Sequence, residues 1–547
     1  MSGSITTPFG HAVPPAPRHS VTVHMPGWET VEKFASDPAS VIGTFQNVYP
    51  RMKPHQDIAD LSAAVLKYTD AEDQACLLFS SLQSARECVE YATSERRDDG
   101  TSKKPVPPDQ IVVRTFNAVD RFFAVLFPSE WLSIVANFWV TPGAGISSRF
   151  ADANLKRIAS LAELPTPTAE SVRPGFESTA HQDIRHRIVQ HLGRSSLTPR
   201  DQPRPTPDDV YLFQTGMASI FKPHTYMLKR NAGTTVLFGM SFINTPVVFE
   251  EFGPGLAFFG NGGEEDLRDL EKFLEEERDA GRKVQAIWTE FPANPLLETA
   301  DLAKLRELAS TYDVVLAIDD TIGSWANVDI TYVADMLVTS LTKSFNGYAD
   351  AIAGSVILNP ASRKYHELKT LFDNYYVPEL YIDDAEVIDH NSRDYIDRTL
   401  KLNANAAAIA DYLQSCAEDP ASAVCRVFYP SINASGAHYR QFMRPDKISG
   451  YGCLLSVELE DVATTAAFYD ALNVHKGPHL GAPFTLAFAY VMCMYGGRLD
   501  WAARYGMKPT QIRVSAGLEE TEALVDEFRL AVQAADRVKQ GGGAEAA

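Results

Sequence analysis

The chain has 547 residues, of which 45% are hydrophobic and 22% charged, with a formal net charge of −20 and a pI of about 5.1. Such an acidic chain lacks the basic surface that nucleic acid or an anionic membrane requires, so neither is expected as a partner. No window approaches 18 uninterrupted apolar residues, and the opening MSGSITTPFGHAVPPAPRHS has no basic stretch followed by an apolar run, so neither a spanning helix nor a secretory leader is expected.

Residues 1–20 are rich in Pro, Ser and Thr and are expected to be mobile. Helical patterns fill 28–92, so residues 1–140 read as a largely helical N-terminal extension. The charged, Pro-rich stretch at 94–110 is a loop. Residues 141–209 read as an arm and connection, closed by the breaker LTPRDQPRPTPDD. From 210 to 390, strand-like VYLFQT, TTVLFGMSF, KVQAIWTEFP and DVVLAIDD alternate with helical EEDLRDLEKFLEEERDAG and TADLAKLRELASTY. That alternation predicts an α/β large domain with a mostly parallel sheet. Residues 391–540 begin with a long Ala-rich helix and continue through GCLLSVELED and TQIRVSAGL to a last helix, which reads as a smaller α+β domain. The tail GGGAEAA is expected to be disordered.

Six cysteines (Cys76, Cys88, Cys416, Cys425, Cys453, Cys493) lack CxxC spacing, which predicts reduced thiols, a cytosolic compartment and no structural zinc. His181, His186 and His191 are five residues apart. On a helix each is turned about 140° from the last, so they do not form one ligand face, and no metal site is expected.

Lys343 stands out in LVTSLTKSFNGYADAIAGSVILN. It lies between two apolar runs that read as buried strands. A strand-end Lys ordinarily snorkels to water. A partly desolvated one can instead act as an amine nucleophile toward an aldehyde cofactor. Its company decides. Ligands of open α/β sheets gather at the carboxyl ends of strands. One such end carries Gly216 and Met217 in a small-residue turn that opens a helix, a natural phosphate seat. Another carries Asn294 between two prolines. A third carries Asp319 and Asp320, and two carboxylates there are costly unless a cation meets one. The fourth carries Ser340, Thr342 and Lys343. Pyridoxal 5′-phosphate (PLP) would use all four, offering a phosphate, a 3′-oxygen, a basic ring nitrogen and an aldehyde.

The motifs point the same way. SLTKSFNGYADAIAGSVI resembles the lysine segment of the Cys/Met-metabolism PLP enzymes, and TGMASI, TEFPANPLLETADL, AIDDTIGS and QIRVSAGLEE resemble that family's other motifs in order over about 210–520. GISSRFA, KGPHLGAPFTLA, LDWAARYGM and the extension resemble the long fungal cystathionine γ-synthases. The resemblance implies a PLP-dependent transferase of fold type I with a seven-stranded sheet. It implies Lys343 as the Schiff-base lysine and Asp319 as the pyridinium partner. Asn294 would approach the 3′-oxygen, and Gly216, Met217, Ser340 and Thr342 would hold the phosphate. Arg513 would bind the substrate α-carboxylate. Arg149 would reach a neighbour's phosphate, which implies a homodimer or homotetramer with shared active sites.

Three departures surround the implied substrate pocket. The family's arm Tyr is Ser147, its ring-stacking Tyr is Phe242, and the Ser of its GPSLG segment is His479. The implied activity is γ-replacement on an O-activated L-homoserine, with O-acetyl-L-homoserine expected, through a vinylglycine-type intermediate. A carbon nucleophile such as a β-keto acid is the alternative to cysteine. A non-catalytic PLP-binding paralogue is the other alternative, opposed by Lys343 and Arg513.

Overall fold

The computed structural model describes residues 5–47, 49, 52–97, 104–167 and 175–545. Its centre is a seven-stranded sheet formed by β5 (Val210–Phe213), β6 (Thr234–Phe238), β7 (Leu256–Phe259), β8 (Val284–Glu290), β9 (Val315–Asp319), β10 (Met336–Thr339) and β11 (Gly354–Leu358). The spatial order is β5-β11-β10-β9-β8-β6-β7. Only β11 runs against the rest. The mostly parallel sheet predicted for the large domain is therefore present. Parallel strands covered on both faces must be apolar on both. Along β9, Val315 and Ala317 face one core while Leu316 and Ile318 face the other.

The C-terminal region forms a second sheet from β12 (Val424–Phe428), β13 (Leu454–Leu459), β14 (His475–Lys476), β15 (Leu486–Phe488) and β16 (Gln511–Ser515). The long helix Tyr395–Ala417 and the last helix Thr521–Glu545 flank it. The last helix runs through most of the tail that composition alone marked as disordered; residues 546–547 lie outside the described set.

The first 140 residues divide into two parts. Trp28, Val31, Phe34, Phe45 and Tyr49 are buried in the core of the C-terminal region, alongside Leu413, Phe468 and Tyr490. Backbone bonds fix this docking: Met25 N–H donates to Lys476 O at 2.9 Å, and Trp28 N–H donates to Asp470 Oδ1 at 2.7 Å. Residues 5–20, expected to be mobile, are described and partly packed, with Val13 and Ser20 buried; residues 1–4 lie outside the described set.

The second part holds the expected helices Gln56–Tyr68 and Leu82–Thr93, and beside them a sheet absent from the helical reading. It comprises β1 (Gln74–Phe79), β2 (Val112–Asn117), β3 (Arg121–Pro128) and, from beyond residue 140, β4 (Ala162–Leu164), antiparallel in the order β1-β3-β2-β4. The short apolar run of β1 lies inside a helical pattern, and periodicity over so few residues does not separate strand from helix. Phe79, Phe123 and Phe138 pack on Phe221 and Trp288 of the large domain. Lys222, almost wholly buried, pins this contact. Its Nζ donates to Ser84 Oγ at 2.9 Å and to Glu87 Oε2 at 2.6 Å, and lies 3.5 Å from Glu379.

Candidate active site

Because β5, β6, β8, β9 and β10 are mutually parallel, their carboxyl ends open on one edge of the sheet. A cavity of about 550 Å³ lies there. It gathers Gly216 and Met217 after β5, Phe242 after β6, Glu290 and Asn294 after β8, Asp319 after β9, and Ser340, Thr342 and Lys343 after β10. The 24-residue gap between Asp319 and Lys343 is spanned by adjacent parallel strands, with Asp319 in register with Val338. Arg513, from β16 of the C-terminal region, reaches the opposite wall.

The lysine is half-buried. Its Nζ donates to the hydroxyl of Tyr49 at 2.7 Å and lies 5.1 Å from the centre of that ring. Asp319 is half-buried, and Thr321 N–H donates to its Oδ1 at 2.9 Å. Desolvation pushes its carboxyl up to about 6, against the opposing bonds from Thr321. Asp320 points away from the cavity and accepts from Thr339 Oγ1. The two carboxylates at this strand end thus face opposite sides, and Asp319 alone of them is offered to a ligand.

The turn at Gly216 is tight. A Cβ on Gly216 would lie 2.7 Å from Cβ and Oγ of Ser340. Among the described residues no hydrogen bond takes up the Ser340 hydroxyl, which leaves it for a ligand oxygen. The helix Ala218–Arg230 begins immediately after, with Ala218 N–H donating to Thr215 Oγ1 at 2.9 Å and Ser219 N–H to Thr215 O at 3.2 Å, so the turn is closed by Thr215 and turns the helix start toward the cavity. Thr342 differs from Ser340. Its Oγ1 donates to Ala353 O and accepts from Ala353 N–H, both at 3.1 Å. A hydroxyl has one proton to give, so in this arrangement Thr342 has none left for a phosphate.

Asn294 bridges two groups. Its Nδ2 donates to Tyr490 Oη at 3.0 Å, and its Oδ1 accepts from Arg513 Nη1 at 3.1 Å. Arg513 is only 4% exposed. It also donates to Pro478 O and lies over the Tyr490 ring at 4.6 Å. Among the described residues no carboxylate pairs with it. A buried guanidinium without an anion is costly unless a ligand supplies one.

Two residues of the predicted set lie elsewhere. Arg149 does not line this chain's cavity; its Nη1 donates to Asp350 O at 2.8 Å and to Asp384 Oδ1 at 3.0 Å. His479 is 1% exposed and turned behind the wall, while its neighbours Pro478 and Leu480 face the cavity. Both ring nitrogens are buried without a hydrogen-bond partner. Burial, then the nearby charges of Lys343 and Arg513, hold the ring well below its usual pKa and so neutral. The helical histidines do not converge either. His181 bonds to Leu380 O, His186 to Gln182 O, and His191 packs on Tyr395.

Sequence reasoning missed Tyr49, Glu290 and Tyr490. Glu290 lies inside the quoted TEFPANP segment, so its position was signalled. Tyr49 had no local signal.

The donor set fits PLP: an amine, a carboxylate facing the cavity, and a glycine cradle with a hydroxyl at a helix start. Residues 206–533 match the family described as Cys/Met metabolism PLP-dependent enzyme, and residues 57–147 match the fungal trans-sulfuration enzyme N-terminal domain. A cystathionine gamma-synthase-like enzyme, iboG2, of Amanita muscaria is 33% identical, with 97% of each chain covered. A cystathionine gamma-synthase of Neurospora crassa is 30% identical, over 97% of this chain and 99% of the relative. The solved cystathionine gamma synthase of Xanthomonas oryzae pv. oryzae shares the fold, at a TM-score of 0.53 and 21% identity, over 68% of this chain and 91% of that one. The chain thus belongs to the Cys/Met metabolism PLP-dependent enzymes, as a cystathionine γ-synthase-like, γ-substituting member on the type I fold with the fungal N-terminal domain.

Proposed function

We propose that the chain catalyses γ-replacement on an O-activated L-homoserine, with O-acetyl-L-homoserine as donor and cysteine as nucleophile. The observation that carries this reading is Arg513, a buried guanidinium without a carboxylate partner, in the same cavity as Lys343 and Asp319. A fork of this kind matches an α-carboxylate bidentately. PLP, with Lys343 as its lysine, would supply the electron sink that acidifies the substrate's Cα–H. Asp319 keeps the ring nitrogen protonated. Gly216, Met217 and Ser340 hold the phosphate, with Thr342 shaping the turn. Asn294 orients Arg513 and approaches the 3′-oxygen, and Phe242 packs against the ring. Lys343 would carry protons to and from the substrate carbons. His479 acts from behind the wall, setting the position of Pro478 and Leu480 against the substrate.

A carbon nucleophile is the second reading, favoured by the apolar wall that Phe34, Ile42 and Met52 add beside Phe242. Arg149, absent from its own chain's cavity, is assigned to a neighbour's phosphate in a homodimer or a dimer of dimers. Incubation of O-acetyl-L-homoserine with a panel of thiols and β-keto acids, followed by mass spectrometry, tests the activity. Cystathionine is the expected product. A carbon-linked product with none from cysteine transfers the assignment to the second reading, and no turnover of the donor overturns both.

A further inference from the structure

A hydroxyl bonded to Lys343 comes from the N-terminal extension, which also adds Phe34, Ile42 and Met52 to the cavity wall. Tyr49 lies on the first part of the extension, between the helix Pro38–Gly43 and the helix Gln56–Tyr68. It is 8% exposed and shares a core with Phe45, Val41 and Tyr490. Its loop is pinned from two sides: Gln46 N–H donates to Gly10 O at 2.9 Å, and Lys53 Nζ donates to Phe45 O at 3.2 Å. The ring meets His479 edge-on at 6.1 Å. The phenol oxygen is therefore held where Lys343 Nζ is, at 2.7 Å.

Among the described residues that line the cavity, the other phenol is that of Tyr490, and it is engaged. Position 242 carries Phe and position 147 carries Ser. Tyr490 lines the cavity, but its oxygen accepts from Asn294 and its ring lies under Arg513.

We propose that Tyr49 is a positioning residue for Lys343, so that the N-terminal extension completes the active site with a phenol at the lysine. The inference rests on Lys343 as the cofactor-bearing lysine and proton carrier. When Lys343 takes a proton from a substrate carbon it becomes an ammonium, and one of its N–H groups donates to Tyr49 Oη. When Lys343 gives that proton back it becomes a neutral amine, and Tyr49 O–H donates to its lone pair. The hydrogen bond reverses while the phenol keeps its own proton, so the proton balance closes on Lys343 and the substrate. The effect is to keep the amine aimed across the cavity in both protonation states.

The test uses full-length PLP-loaded protein carrying Tyr49→Phe, which keeps the ring and its packing, with Tyr49→Gln as a second variant. Without substrate, the pH midpoint of the cofactor's visible absorbance is expected to move by at least half a unit. In cofactor-free protein, the rate at which acetic anhydride labels Lys343, read by peptide mapping, is expected to change several-fold. With substrate, kcat should fall about tenfold to a hundredfold, the range of a lost charge-assisted hydrogen bond, with KM changed much less. Borohydride reduction locates the cofactor. An adduct on another lysine removes the underlying reading. An adduct on Lys343, together with a parental midpoint, labelling rate and kcat in both variants, overturns the role of Tyr49 alone.

Discussion

Glu290 stands directly across from Asp319, the last paired residues of β8 and β9. Two carboxylates thus share one buried strand end. Glu290 accepts from Phe242 N–H at 2.6 Å, and burial followed by the Asp319 charge drives its carboxyl well above the usual range. The pair makes this end of the cavity a poor place for negative charge and a good one for a protonated ring nitrogen.

This arrangement carries a pH signature. Asp319 has a folded pKa pushed up to about 6 from an ordinary 3.8, so its ionised form opposes folding. The penalty is absent below the unfolded value, grows between the two, and is constant above about 6. Cofactor-free Asp319→Asn should therefore be more stable than the parent at pH 8, by at most about 3 kcal/mol, with the gap closing by pH 4. The same variant should bind PLP more weakly. Urea denaturation at the two pH values checks the first statement and cofactor titration the second; a variant less stable than its parent at pH 8 contradicts the sign.

Arg513→Lys retains the charge and loses the fork. We expect kcat/KM for O-acetyl-L-homoserine to fall by about 10- to 100-fold, mostly through KM, with the bound-cofactor absorbance kept. Steady-state kinetics beside a spectrum decide it. Loss of the cofactor band would make Arg513 a cofactor ligand instead.

Gly216→Ala places a methyl group 2.7 Å from Ser340. The turn must open, so PLP affinity should drop about tenfold or more, equivalent to roughly 1.4 kcal/mol. Fluorescence titration of cofactor-free protein reads the change, and an unaltered Kd would place the phosphate elsewhere.

Lys222 is the cation between Glu87 and Glu379 at the seam of the extension and the large domain. Lys222→Met leaves Glu379 buried with, among the described residues, Ser81 and Ser84 donating to it. A loss of about 3–5 kcal/mol is expected, read as a lower denaturation midpoint. Lys222→Met with Glu379→Gln should recover part of it, which a purely steric effect of Met would not allow.

The centre of the site was legible because its residues follow a rule of topology. Gly216, Asn294, Asp319 and Lys343 each end a strand whose pattern is plain in the chain, and parallel strands bring such ends to one edge. What depended on side-chain direction was not legible. Thr342 and Ser340 are two residues apart at the same strand end, yet only Ser340 leaves its hydroxyl to the cavity. His479 lies between two residues that face the cavity and turns away from it. Tyr49 meets Lys343 across 294 positions of sequence, and no local pattern encodes a contact made by docking one region on another. β1 was hidden because a six-residue apolar strand between two amphipathic helices has the local look of helix.

The division of the first 140 residues also has a temporal meaning. Val23, Trp28, Phe34, Phe45 and Tyr49 are made long before the residues of 406–535 that share their core. Contacts so distant in sequence form late, and domains otherwise fold in order of synthesis. Trp28, Phe34 and Phe45 are therefore expected to lack their core until those later residues are made. A chain terminated before residue 406 is expected to leave this aromatic segment exposed and so to associate more readily than one that includes residues 406–535.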